Sequence, residues 1–157
     1  ILVKEVEEGN ISVKLKNLQP GDTLEMEGPF GQFTIGPEER KNKQFLFIAT
    51  GTGIAPFHSF IQSYPDLNYT LLHGVSYLKE AYDNTAYNKK QLRVCTSKEK
   101  CFGFKGRVTD YLKVHPVKDI KNTLVYVCGN GNMIYDVYDI LKKQGMQSDQ
   151  FFTEVYF

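Results

Sequence analysis

The sequence predicts an α/β protein: a doubly wound parallel sheet preceded by a short strand-and-turn segment. Three observations predict it. From Gln44 onward, apolar strand patterns alternate with helical ones across short loops, as in successive βαβ units. The first of these strands, residues 45–50, is a continuous apolar run of the kind buried on both faces of a parallel sheet. Before residue 37, by contrast, the period is two and tight turns interrupt it.

Taken in order, Ile1, Val3 and Val6 nearly alternate with Lys4 and Glu5, and Val13 and Leu15 alternate with Lys14 and Lys16. Pro20-Gly21-Asp22 signals a turn, Leu24 and Met26 alternate with Glu25 and Glu27, and Gly28-Pro29 signals another. Three or four such strands cannot close a barrel and are marginal alone. The piece reads as the end of an antiparallel barrel whose beginning lies upstream. The charged run 38–43 reads as a solvated linker. Strands are then predicted at 45–50, 69–75, 92–96, 124–128 and 151–155, with helices at 55–63, 107–114 and 133–144. Phe57, Phe60 and Ile61 share one side of the first helix, and Gly145 ends the last.

Composition narrows the function. The 157 residues are 41% hydrophobic and 24% charged, which excludes a disordered tail and a disulfide-stapled miniprotein. A net charge of +1 argues against a nucleic-acid partner. The apolar run 45–49 is too short to insert in a membrane, and residues 1–8 are too charged for a signal peptide. Cys95, Cys101 and Cys128, spaced by 6 and 27 residues, fit neither a disulfide framework nor a zinc site. Reduced thiols and a cytoplasmic location are expected. His58, His73 and His115 share no metal-ligand spacing and read as structural or surface residues, so no metal site is predicted. A chain that starts at Ile1, without Met and already alternating, suggests that an upstream part has been removed.

In a doubly wound sheet the ligand lies off the carboxyl ends of the strands. The first end is Thr50-Gly51-Thr52-Gly53-Ile54-Ala55-Pro56. Gly51 and Gly53 permit close approach of backbone to a diphosphate, and a helix starting near Pro56 aims its N–H groups at that anion. Pro56 stands where the common dinucleotide fingerprint has its third Gly, and no acid follows the second strand to hold a ribose hydroxyl. A plain strand–helix turn is the alternative. Ser97, Lys98 and Arg107 offer a hydroxyl and two cations suited to a 2′-phosphate, or are simply exposed loop residues. Cys128 is a ligand-facing residue or a buried small apolar group, and Glu154, Tyr156 and Phe157 face the same choice between site and core cap.

Together, Gly9-Asn10-Ile11-Ser12, Gly28-Pro29-Phe30-Gly31-Gln32-Phe33, the Thr50–Pro56 loop, Ser97-Lys98, Gly106-Arg107, Cys128-Gly129 with Met133, and Glu154-Val155-Tyr156 resemble the ferredoxin–NADP⁺ reductase family over nearly the whole chain. The resemblance implies an FAD-binding antiparallel barrel followed by a Rossmann-like NADP-binding domain. Residues 1–37 would be the C-terminal remnant of the barrel and 38–157 the NAD(P)-binding domain. Gly9, Asn10, Ile11 and Ser12 would hold the FAD pyrophosphate. The family's Arg-x-Tyr-Ser flavin motif has no match here. Thr50, Gly51, Thr52, Gly53, Gly129 and Met133 would shape the NADP cleft. Cys128 would lie beside the nicotinamide, Glu154 would position it or relay a proton, and Tyr156 would stack on the flavin with Phe157 as an extension. Lys98 stands where the family usually has Arg, and Ser76 where some bacterial members have Arg, so NADP is favoured over NAD without the bidentate fork.

The implied activity is hydride transfer between NADPH and FAD, then single electrons to or from ferredoxin or flavodoxin. Two other classes stay open: an NADH-dependent reductase component feeding an oxygenase, and, for this length of chain, a nucleotide-binding module without activity of its own. A plant-type Cys-x4-Cys-x2-Cys run, which a fused iron–sulfur domain needs, does not occur.

Overall fold

The computed structural model describes residues 2–28 and 30–156, in two compact units, Ile1–Gln32 and Phe33–Phe157. Ile1, Pro29 and Phe157 lie outside the described residues. The strand start at Ile1, the turn at Gly28-Pro29 and the site role of Phe157 therefore have no structural counterpart.

The first unit departs from the strand reading. Among its described residues there is no strand ladder, and the regular element is a helix, α1 (Asn10–Lys16). Over seven residues a period of two and a period of 3.6 are hard to separate, and alternation forms a strand only when a neighbour pairs with it. Here local bonds decide otherwise. The Gly9 N–H donates to Val6 O at 2.8 Å, closing a turn, and the Val6 N–H donates to Ser12 Oγ at 3.1 Å across the start of the helix. Lys14 and Lys16 then occupy the last turn, where cations favour the helix dipole, and Lys16 pairs with Glu5 at 2.7 Å.

In the second unit, the charged run is not a linker but a short helix, α2 (Pro37–Asn42). Pro37 opens it without losing a hydrogen bond, Glu38 and Glu39 sit in the first turn and Arg40 and Lys41 in the last, so every charge suits the dipole. The Arg40 guanidinium lies 4.1 Å from the centre of the Tyr64 ring. The order then runs β1 (Gln44–Thr50), α3 (Ala55–Ser63), β2 (Tyr69–Val75), β3 (Leu92–Thr96), β4 (Phe104–Lys105), α4 (Val108–Val114), β5 (Thr123–Gly129), α5 (Gly131–Lys143) and β6 (Phe151–Val155). Two-residue β4 escapes sequence reading because it is too short to show a period.

All six strands are parallel, in the order β4-β3-β2-β1-β5-β6. The order reverses between β1 and β5, and a ligand crevice opens outside the carboxyl ends at such a switch point. The two faces of the sheet differ in chemistry. On one, Phe47 and Tyr126 meet Phe60 of α3, Phe47 also stacks on Phe57 at 4.9 Å, and Phe45 and Tyr69 pack beside Tyr126 and Phe47. On the other, Leu46, Ile48, Leu72, Val125 and Val127 pack against Leu112 of α4 and Val137 and Leu141 of α5. Each such side chain contributes roughly 1.5–3 kcal/mol on burial. The core thus holds β1 and β5 rigidly from both sides and fixes the loops at their carboxyl ends.

Candidate functional site

The site is built from the residues that end β1, β2 and β5. After Thr50 the chain enters a single 3₁₀ turn, Gly51–Ile54, which leads directly into α3. The two glycines of this turn have different tasks. Gly51 adopts φ +54, a left-handed conformation that other L residues reach only with strain, and a Cβ placed there would meet nothing within 4 Å. It faces open space. Gly53 is buried, and a Cβ on it would collide with the carbonyl of Cys128, whose carbonyl carbon would lie 2.6 Å away. Gly53 therefore lets the β1 and β5 backbones approach each other.

Two further bonds lock this arrangement. The Asn130 N–H donates to Thr50 Oγ1 at 3.0 Å, tying the β1 loop to the β5 loop. Gly129, at φ +132, has no room for a side chain because Thr50 occupies the space. The Asn130 side chain in turn accepts from the N–H groups of Asn132 and Met133 and caps α5. From β2, the buried His73 approaches Gly51 O at 3.0 Å. A carbonyl only accepts, so His73 Nε2 carries the proton and donates. Burial pulls the His73 pKa down to about 4, so the ring is neutral and the tie persists at neutral pH. The part of His73 in shaping the Gly51 turn is not visible in the sequence, because the two residues are 22 apart.

Cys128 pairs in register with Glu154, and the Tyr156 N–H donates to Gly129 O at 2.9 Å. The strand ladder thus brings Cys128, Glu154 and Tyr156 to one corner. The Cys128 side chain is fully buried, and burial, with a smaller push from Glu154, raises its thiol to about 12. It remains a protonated, uncharged group and no nucleophile. Tyr156 is half-buried, and its pKa is raised by burial and then by Cys128 and Glu154. Met133 lies in the aliphatic core with 8% of its surface exposed.

The cations converge through β4. The β3–β4 pairing sets Thr96 beside Lys105, and the Gly106 N–H donates to Thr96 O at 2.9 Å. Ser97 and Lys98 at the end of β3 and Arg107 just past β4 are therefore neighbours, and all three are exposed. Lys98 Nζ stands 5.6 Å from the centre of the Tyr77 ring. Among the described residues, no group of three or more His, Cys, Asp or Glu could hold a metal ion.

These residues fit a dinucleotide. The open Gly51 turn leading into α3 suits a diphosphate, and the Ser97–Lys98–Arg107 group suits a phosphate beyond it. In the first unit the fit to a flavin nucleotide is partial. Asn10 and Ile11 are exposed, but the Ser12 hydroxyl is bonded to Val6, and a Cβ on Gly9 would lie 2.5 Å from it.

Residues 47–139 match the oxidoreductase NAD-binding domain family, and residues 1–35 match the oxidoreductase FAD-binding domain family. The chain is 31% identical to the chloroplastic root isozyme of ferredoxin–NADP reductase from Oryza sativa subsp. japonica, over 85% of this chain and 41% of that protein. It is 26% identical to reductase component 1 of terephthalate 1,2-dioxygenase from Comamonas sp, over 98% of this chain and 49% of that protein. The chain thus spans less than half the length of these two relatives. Its fold is that of the Amycolatopsis cytochrome P450 reductase GcoB, with a TM-score of 0.82 at 22% identity over 98% of this chain and 50% of that one. The chain belongs to the oxidoreductase NAD-binding domain family and is a homologue of the ferredoxin–NADP reductases.

Proposed function

We propose that residues 38–157 form the NADP-binding domain, and residues 1–37 the end of the FAD-binding barrel, of an enzyme that moves a hydride between NADPH and FAD. Ferredoxin or flavodoxin would exchange single electrons with it. The observation that carries this reading is the β1–β5 switch point with the open Gly51 turn at the end of β1, together with the exposed Ser97, Lys98 and Arg107 past the ends of β3 and β4. The chemistry itself, hydride donation by a nicotinamide and its acceptance by a flavin, belongs to the cofactors.

This chain's residues bind and orient. Thr50, Gly51, Thr52 and the N–H groups entering α3 receive the diphosphate, and Gly53 and Gly129 keep the two backbones close enough for His73 and Thr50 to hold the loop still. Lys98 and Arg107 neutralise a 2′-phosphate, with Ser97 donating a hydrogen bond. Cys128, small and uncharged, leaves room for the nicotinamide, and Glu154 positions it. Its present burial means that the covering group must move, and Tyr156 is the neighbour whose displacement would uncover it. Among the described residues no helix is long and apolar enough to cross a membrane. The free thiols Cys95, Cys101 and Cys128 support a cytoplasmic location.

A second reading, an NADH-linked reductase component of an oxygenase, has one observation in its favour: Lys98 and Ser76 replace potential guanidinium forks. Calorimetric titration of the 157-residue chain with NADP⁺ and NAD⁺ decides between them. Tighter binding of NADP⁺ supports the NADPH enzyme, equal binding supports the NADH reductase, and binding of neither removes the nucleotide reading.

A further inference from the structure

The opposite end of the sheet carries a cavity. Helix α4 has seven residues, about 10 Å of rise, whereas β1 and β2 have seven extended residues, about 23 Å. The helix starts at the carboxyl edge, where Val108 lies against Gly74, so it ends before covering the amino-terminal part of the strands. The chain then passes over the gap as the loop 115–119. Between loop and sheet lies a cavity of about 500 Å³, within the size range of small-molecule sites.

Its lining is amphipathic. Leu46, backed by the fully buried Leu72 and Leu112, forms an apolar floor, and the Tyr111 and His115 rings, stacked at 4.2 Å, form a flat wall. Arg93 also lines the cavity, and its pairing with Leu72 sets it on the same face of the sheet. Its Nη1 donates to Leu92 O at 2.8 Å and to Lys89 O at 3.4 Å, which fixes the guanidinium and leaves its other N–H groups free to point elsewhere. Among the described residues no carboxylate lies within 4 Å of Arg93 or of Lys118, the second cation in the lining. Asp119 is the carboxylate in the lining, set against the two cations Arg93 and Lys118.

We propose that this cavity is a ligand site, separate from the nucleotide crevice, for a small aromatic monocarboxylate. A planar apolar body fits the leucine floor and the Tyr111–His115 wall. A single carboxylate meets the anchored guanidinium fork with paired hydrogen bonds. Asp119 disfavours a dianion such as phosphate, and the apolar floor disfavours a small hydrated anion. The proposal does not rest on the NADP reading, because no residue is shared between the two sites.

The test is a ¹H–¹⁵N NMR titration of the 157-residue chain with benzoate, benzyl alcohol and inorganic phosphate. Benzoate should produce saturable shifts at Leu46, Arg93 and residues 111–119, and the alcohol and phosphate should bind much more weakly. Arg93→Gln should weaken benzoate by about tenfold or more, as expected for losing a charge-assisted bond. Lys118→Gln, on an exposed loop, should weaken it by about threefold. Added NADP⁺ should leave the benzoate shifts in place. Absence of saturable shifts at these residues overturns the proposal, as does equal binding of benzyl alcohol. So does unchanged affinity in Arg93→Gln, or in Lys118→Gln should the arginine variant not fold.

Discussion

The two ends of the parallel sheet solve different problems. At the carboxyl end, β1, β2 and β5 run into glycines: Gly51 and Gly53, Gly74, and Gly129. At the amino end, the residues that precede β1, β2, β3, β5 and β6 are Lys43, Asn68, Gln91, Asn122 and Gln150. Backbones meet at the first end, and side chains do the work at the second. Gln150 shows the second style plainly, since its buried amide donates to the carbonyls of Ile120 and Thr123 at 2.8 and 2.9 Å. A ligand that bonds to backbone N–H groups needs bare main chain, whereas a strand entry needs only its loose carbonyls satisfied. The amino end has a cavity of about 500 Å³ because α4 stops short of it, whereas at the carboxyl end Gly53 has no room for a single methyl group.

The sharpest way to break this comparison is at the carboxyl-end glycines. Gly53→Ala sets a methyl group against the Cys128 carbonyl, backbone against backbone, with no rotamer to relieve it. It should cost about 3 kcal/mol or more. Gly51→Ala meets open space and should cost only its left-handed strain, about 1–2 kcal/mol. Urea denaturation of both variants tests the pair, and equal losses would mean that close approach of β1 and β5 does not organise this end.

Next in size is the pH dependence of His73. Its folded pKa, about 4, lies below the ordinary value of 6.5, so the unfolded chain binds the proton more readily. Stability from this group is therefore present above pH 6.5 and falls as pH drops from there toward 4, by about 3 kcal/mol at the limit. His73→Gln should flatten the fall in urea midpoint between pH 7 and pH 4.5. An unchanged slope would remove the His73 tie from the account of this end.

Smaller, and selective, is the effect of the exposed cations. Lys98→Ala or Arg107→Ala should weaken NADPH binding by about ten- to a hundredfold and leave NADH binding nearly untouched. The effect should shrink as salt rises, because both side chains are exposed. Equal losses for both nucleotides would place these cations on the diphosphate instead. The smallest effect is at Tyr156. Replacing it with Ser should tighten nucleotide binding by about fivefold, since an aromatic contact contributes about 1 kcal/mol beyond its area. Weaker binding would make Tyr156 part of the nucleotide surface and not its competitor.

From Gln44 onward, residue order alone determined the succession of strands and helices apart from two-residue β4. The bounds read for α3, β2, β3 and β6 coincide with those observed. These elements are legible because each carries its own period and its own burial pattern within five to nine contiguous residues. The candidate loops at Thr50–Gly53, Ser97–Lys98 and Cys128–Gly129 were legible for the same reason, since each follows a recognisable strand. The segment before residue 36 was not, because its alternation is too brief to tell a strand from α1, and turn bonds between Val6, Gly9 and Ser12 made the choice. Only the tertiary structure separated Gly51, which faces open space, from Gly53, which lies against Cys128, although both stand in one short motif. It alone joined His73 to Gly51, brought Arg107 to Lys98 through two-residue β4, and left a gap where α4 ends too soon. Periodicity resides in neighbouring residues, but register, close approach and empty space are properties of segments far apart in the chain, and they exist only once the sheet has closed around its core.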